Sequence, residues 1–154
     1  MKHSISHVKH YTDCGQTRKR LVLAVDDDDG FLDELGETLA GNGYDLVAVG
    51  DGRQTVALAR TIRPDVILLD LKLDDSDGFQ LACLLKSDPA TAGIPVIAMT
   101  GHPGYVGSRR EVAEFSQKCG FVDCLTKPFS PFVLMARIDG CCGGQTTADP
   151  INGR

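Results

Sequence analysis

The residues with the most chemical potential begin at LVLAVDDDDG, Leu21 to Gly30, where five apolar residues run into four consecutive aspartates. Carboxylates packed this closely repel one another, by about 4 kcal/mol per contacting pair at an effective dielectric near 20. A solvated turn disperses that repulsion into water; a bound cation cancels it. Three other segments bear on the choice. DVILLD closes on Asp70, IPVIAMT closes on Thr100, and FVDCLTKPF runs into Lys127. If all four segments end on one rim, then Asp26, Asp27 and Asp70 meet one hydroxyl and one ammonium there. That all-oxygen set suits Mg²⁺. A carboxylate beside Mg²⁺ and a lysine is equipped to attack a phosphoryl group and form an acyl phosphate.

The elements needed to build such a rim are legible. Short apolar runs rich in β-branched residues, Leu21–Val25, Tyr44–Val49, Asp65–Leu69, Ile94–Met99 and Phe121–Leu125, read as strands buried on both faces. Helical spacing lies between them. Phe31, Leu35 and Leu39 share one helical face, with Gly41 and Gly43 as stops. Asp51 precedes a second helix; Leu81, Leu84 and Leu85 mark a third, ended before Pro89. Ser108 and Glu111 form the capping box of a fourth, and Ser130-Pro131 opens a fifth. Five strand-then-helix units predict a doubly wound parallel α/β sheet in the order 2-1-3-4-5. In that fold ligands bind at the carboxyl ends of the strands.

The bulk composition is compatible. The chain has 154 residues, 42% hydrophobic and 24% charged, as for one globular domain with short tails. The expected division is a flexible basic tail over 1–19, one domain over 20–139, and a flexible tail over 140–154. The first 20 residues carry a charge of +4 and the remainder −9, out of a net −5. An acidic body argues against nucleic-acid binding. The sequence has no membrane-length apolar run and no export signal, so a cytoplasmic location is expected. Its six cysteines lack zinc-site spacing and read as reduced thiols.

In order and interval, VDDDDGFL, LLDLKLDDSDGF around Asp70, IAMTG and LTKPF resemble the receiver domain of two-component response regulators. The resemblance covers roughly Arg20 to Ile138 and implies a flavodoxin-like fold. It implies that Asp70 accepts a phosphoryl group from the phosphohistidine of a histidine kinase or phosphotransfer protein. It further implies that Asp27 binds Mg²⁺ directly, Asp26 acts mainly through water, and the backbone carbonyl of Lys72 is another ligand. Thr100 and Lys127 would contact the phosphoryl group, and the Lys127–Pro128 bond would be cis. Asp28 and Asp29 would then open the first helix rather than bind metal.

The chain departs from that pattern at four places. Asp74 stands where receivers carry proline, and Cys124 where many carry a reporting aromatic. The interval from Thr100 to Lys127 is long, with the excess in GHPGYVG, and the fifth helix is expected to end near Gly140. Lys72 and His102, two residues beyond acceptor and threonine, are candidates for setting the lifetime of the acyl phosphate. Asp75 and Asp77 read as turn residues. His3, His7 and His10 lie too loosely on the tail to make a metal site.

A stand-alone receiver signalling to a downstream protein is the leading expectation. It is a switch with self-catalysed transfer and hydrolysis rather than an enzyme in the usual sense. A phosphate-independent interaction module is the alternative that Cys124 keeps open. A Mg²⁺-dependent phosphatase of the haloacid dehalogenase type would need an aspartate at Lys72. A nucleotide-binding enzyme lacks its glycine motif.

Overall fold

The structure, a computed structural model, describes residues 8–11, 19–73, 77–101, 114 and 117–142. Their strands are β1 (Val8–Tyr11), β2 (Arg20–Val25), β3 (Tyr44–Val49), β4 (Val66–Asp70), β5 (Val96–Thr100) and β6 (Phe121–Thr126). The helices are α1 (Asp29–Ala40), α2 (Thr55–Ile62), α3 (Gly78–Ser87) and α4 (Pro131–Cys142). One sheet holds all six strands in the order β1-β3-β2-β4-β5-β6. From β3 to β6 every pairing is parallel, so the doubly wound α/β arrangement expected from the sequence is present.

The five apolar runs became strands because alternate residues serve opposite cores. Val22, Ala24, Leu46, Ala48, Leu68, Ile97 and Met99 pack under α1 and α4, against Leu32, Leu35, Leu39, Leu134 and Ile138. Leu23, Val25, Val47, Val49, Ile67, Leu69 and Ala98 face the other way, against Ala59 of α2 and Leu81, Ala82 and Leu85 of α3. A strand apolar on both sides is what a helix-covered parallel sheet demands.

The helix starts are equally local. The Asp28 carboxylate accepts from the Phe31 N–H at 3.0 Å, Asp77 from Phe79 at 2.9 Å, and the Ser130 hydroxyl from Val133 at 3.1 Å. These are N-caps, with Asp29 in the first turn of α1 and Pro131 opening α4. Asp28 and Asp29 thus open α1, as expected.

Three particulars differ from expectation. The described residues hold six strands, because Val8–Tyr11 pairs antiparallel with β3 in the register Val8↔Val49 to Tyr11↔Leu46. Lys9 on this strand reaches Asp33 at 3.0 Å and Asp29 at 3.8 Å on α1. The second helix does follow Asp51, which caps it, but it begins as a 3₁₀ turn, Gly52–Gln54, and becomes α-helical only at Thr55. The last helix continues past Gly140 to Cys142, where the Cys142 side chain is buried under the sheet. The 108–111 capping box, His102, Asp74, Asp75 and most of the long loop lie outside the described residues.

Because β1 covers the outer edge of β3, deleting residues 1–18 should speed amide exchange in Leu46–Val49 by about tenfold or more. Hydrogen–deuterium exchange would show Val66–Leu69, interior to the sheet, unchanged.

Candidate functional site

Every strand between β2 and β6 that contributes to the site does so at its carboxyl end. Asp26 follows β2 and its N–H donates to the Val49 carbonyl at 3.1 Å, which continues the ladder by one bond. Asp27 is the next residue, turned to solvent. Asp70 is the last residue of β4, and Thr100 the last of β5. Lys127 follows β6, held by a 2.7 Å bond from its N–H to the Thr100 carbonyl. The Lys127–Pro128 peptide is cis, as expected. The structure therefore places Asp26, Asp27, Asp70, Thr100 and Lys127 on one rim.

Carboxylate oxygens of Asp26, Asp27 and Asp70 lie within 4.8 Å of one another. Asp26 is 1% exposed and Asp70 6%, so two of the three charges are removed from water. Lys127 answers both. Its ammonium makes a short ion pair with Asp26 and lies 3.7 Å from Asp70 Oδ2. The other Asp70 oxygen, Oδ1, accepts from the Lys72 N–H at 3.1 Å, and Asp26 Oδ1 accepts from the Asp28 N–H at 3.0 Å. Burial nevertheless pushes the Asp26 carboxyl up to about 6, against the opposing pull of Lys127 and the Asp28 N–H. Such a donor set, all oxygen and short of positive charge, fits a hard divalent cation such as Mg²⁺.

Two neighbours escaped the sequence reading. Phe31 packs against the core from α1, as expected, and its ring also lies under Lys127, with the ammonium 4.2 Å from the ring centroid. It meets Phe129 edge-on at 6.0 Å. A cavity of about 240 Å³ opens beside these residues, between α1 and the start of α4. Gly78 is the second. A Cβ there would stand 2.5 Å from the Asp70 carbonyl oxygen and 2.6 Å from Leu71 Cα. The DG pair at 77–78 signals a turn, but the close approach to the acceptor loop is a tertiary fact. Lys72 forms an isolated antiparallel bridge with Asp77, closing that loop on itself.

A parallel sheet bearing three carboxylates, a hydroxyl and a lysine at its carboxyl edge defines a receiver-type α/β fold. Residues 22–139 match the response regulator receiver domain, and the chain belongs to that family. Over 122 residues it is 33% identical to the DNA-binding response regulator MtrA of Mycolicibacterium smegmatis, covering 79% of this chain and 50% of that protein. The chain thus spans about half the length of the curated relatives it matches. Among solved structures, the receiver domain of a signal transduction histidine kinase from Syntrophus aciditrophicus is similar at a TM-score of 0.70 and 30% identity. The match covers 85% of this chain and 96% of that one. The receiver domain of sensor histidine kinase PA1611 from Pseudomonas aeruginosa PAO1 matches at a TM-score of 0.70 and 26% identity, over 82% and 99% of the two chains. That structure has a magnesium ion coordinated in its active site cleft. Receiver domains are phosphoacceptor switches rather than turnover enzymes. Among the described residues, no helix is long and apolar enough to cross a membrane.

Two outcomes follow from this geometry. Gly78→Ala should cost about 1–3 kcal/mol in urea unfolding, because the new methyl meets backbone that cannot yield without moving Asp70. Asp26 gives a pH signature in metal-free buffer. Its folded-state value of about 6 lies above the ordinary 3.8, so its contribution to stability is intact below the lower value and lost as pH rises through the higher. Urea midpoints should therefore fall between pH 4 and 7 by more in the wild type than in Asp26→Asn, a difference of order 1–3 kcal/mol.

Proposed function

We propose that this chain accepts a phosphoryl group on Asp70 from the phosphohistidine of a histidine kinase or histidine phosphotransfer protein. The reaction is Mg²⁺-dependent, and output passes by binding of a downstream protein. The observation that carries the reading is the meeting of Asp26, Asp27 and Asp70 within 4.8 Å, with Lys127 3.7 Å from Asp70. In water such a cluster would be self-repelling; here it is held ready for an anionic group that brings a counter-ion with it.

In this reading Asp27 and Asp70 would hold the metal directly, Asp26 mainly through water, and the Lys72 carbonyl would complete the protein's share. Bound Mg²⁺ supplies positive charge to the phosphoryl oxygens. The protein does the rest. The Lys72 N–H fixes Asp70 Oδ1, which orients the carboxylate so that Oδ2 faces Lys127. One carboxylate oxygen of Asp70 forms the new O–P bond while the P–N bond to the donor imidazole breaks and its electron pair returns to nitrogen. The Lys127 ammonium turns from the carboxylates to a phosphoryl oxygen, and the Thr100 hydroxyl donates to another. Water later cleaves the acyl phosphate, with Lys72 and His102 setting how readily it enters. Swapping each for alanine and timing dephosphorylation tests that assignment; unchanged rates would end it.

A phosphate-independent interaction module is the second reading. Cys124 favours it: half-buried on β6 beside Ala98 of β5, it is too small to swing between two positions as an aromatic ring does.

Incubation with acetyl phosphate, read by intact mass, separates the two. With Mg²⁺ the wild type should gain one phosphate, and without Mg²⁺ or in Asp70→Ala it should gain none. Lys127→Ala should slow uptake on the order of 100-fold, as for loss of one charge-stabilising donor. No uptake, either from acetyl phosphate or from a phosphorylated histidine kinase, would favour the second reading.

A further inference from the structure

Helix α4 ends on two adjacent cysteines, Cys141 and Cys142, which stand apart from the phosphoacceptor rim. Consecutive side chains on a helix point about 100° apart, so neighbouring sulfurs ordinarily diverge. These two converge, with their sulfurs 3.9 Å from each other. Each thiol also has a backbone partner. Cys141 donates to the Ile138 carbonyl at 3.4 Å, and Cys142 to the Asp65 carbonyl at 3.5 Å, just before β4. Cys142 belongs to the core under α4, and Cys141 packs half-buried against it. Both thiols are free.

The spacing restricts what can join the two sulfurs. A disulfide needs sulfurs about 2.05 Å apart and Cα atoms usually at least about 4.4 Å apart. Adjacent Cα atoms stand only about 3.8 Å apart, so closing that bond would distort the end of α4. A linear two-coordinate cation with bonds to sulfur near 2.3 Å spans roughly 4.6 Å, more than the pair offers. A tetrahedral ion such as Zn²⁺ spans about 3.8 Å, which fits, but it takes two further ligands. Among the described residues, no imidazole, carboxylate or third sulfur joins these two within 4.8 Å. A bent three-coordinate centre meets both conditions, since it takes two sulfurs and leaves its third position to a group of its own.

We propose that Cys141 and Cys142 form a binding site for trivalent arsenic, as arsenous acid or a monosubstituted arsenical. Two As–O bonds and two S–H bonds break, two As–S bonds form, and two waters leave with the thiol protons. No electrons change hands, so neither oxidant nor reductant is needed. The product is neutral, which suits its surroundings. Burial, ahead of every other cause, pushes both thiols up, Cys141 to about 12, so they react as thiols and leave no charge among apolar side chains. Cys141, the less buried of the two, is the point of entry. The second As–S bond removes the proton that Cys142 donates to Asp65, which unties the last residue of α4 from the entry of β4.

The site is tested on the full chain, reduced with a phosphine, with phenylarsine oxide as the probe and no phosphoryl transfer involved. One equivalent should add one phenylarsine group, an intact-mass gain of one reagent less one water. A digest should place it on the peptide that holds both Cys141 and Cys142. The adduct should survive excess glutathione, a monothiol, and be removed by dithiothreitol, which offers two thiols at once. In Cys141→Ser, glutathione should strip the label on the order of 100-fold faster, because the second attachment is gone. No adduct at one equivalent, a wild-type adduct that glutathione strips, or a stable adduct on any other cysteines would each overturn the proposal. The wild-type digest decides the matter even if the variant fails to fold.

Discussion

Two carboxylates withdrawn from water at the ends of neighbouring strands set the terms for the rest of the molecule. Asp26 and Asp70 are almost fully buried and close enough for their oxygens to share a ligand. Their ionised forms need positive charge and directed hydrogen bonds within a few ångströms. The fold supplies Lys127 to both, the Asp28 N–H to Asp26 and the Lys72 N–H to Asp70. Even so, Asp26 remains raised toward neutral pH by its burial. The site is held under electrostatic tension, and the most direct relief is a bound cation.

That tension is affordable because the sheet beneath is made rigid by ordinary means. Apart from Arg20 at the amino end of β2, apolar residues fill β2, β4 and β5 up to their carboxyl ends. Polar groups are pushed to the two rims. At the opposite rim they form a closed set: Tyr44 Oη donates to Asp139 at 2.7 Å, and Arg20 pairs with the same carboxylate at 2.7 Å. Among the described residues, one rim gathers its charges into that closed set, and the other gathers Asp26, Asp27, Asp70 and Lys127.

The strands, the starts of α1 and α4, and the residues that end the strands on one rim were legible because each depends on a local pattern. A both-sided apolar run, an Asp two or three residues before the first free N–H, or a polar residue at the end of a strand is visible without the rest of the chain. What was not legible depends on contacts far away in sequence. Strand β1 is only VKHY, and nothing in it announces pairing; its place comes from the open edge of β3 and from acids on α1. The third parallel run was expected to start at Asp65, yet the Asp65 side chain accepts the Leu21 N–H at 2.8 Å, and the strand begins at Val66. Phe31 keeps the spacing of a core residue and packs against the core, but the second use of its ring, under Lys127, is something no spacing rule could show. Gly78 needed the Asp70 backbone in place before its lack of a side chain acquired meaning.

Lys127 is the point at which these separate accounts meet. Its ammonium is one charge shared between two carboxylates and the face of Phe31, while its backbone is pinned to the end of β5 through the Thr100 carbonyl. The head can therefore change partners without the chain moving. Placing a further anionic group on Asp70 would draw that head away from Asp26, and Asp26 would then hold its charge only with a cation beside it. In the proposed phosphoacceptor reading, metal binding and acceptance of an anion would thus be coupled through a single side chain, each supplying what the other removes. The coupling needs no large displacement, because all the groups that exchange partners already stand on one rim.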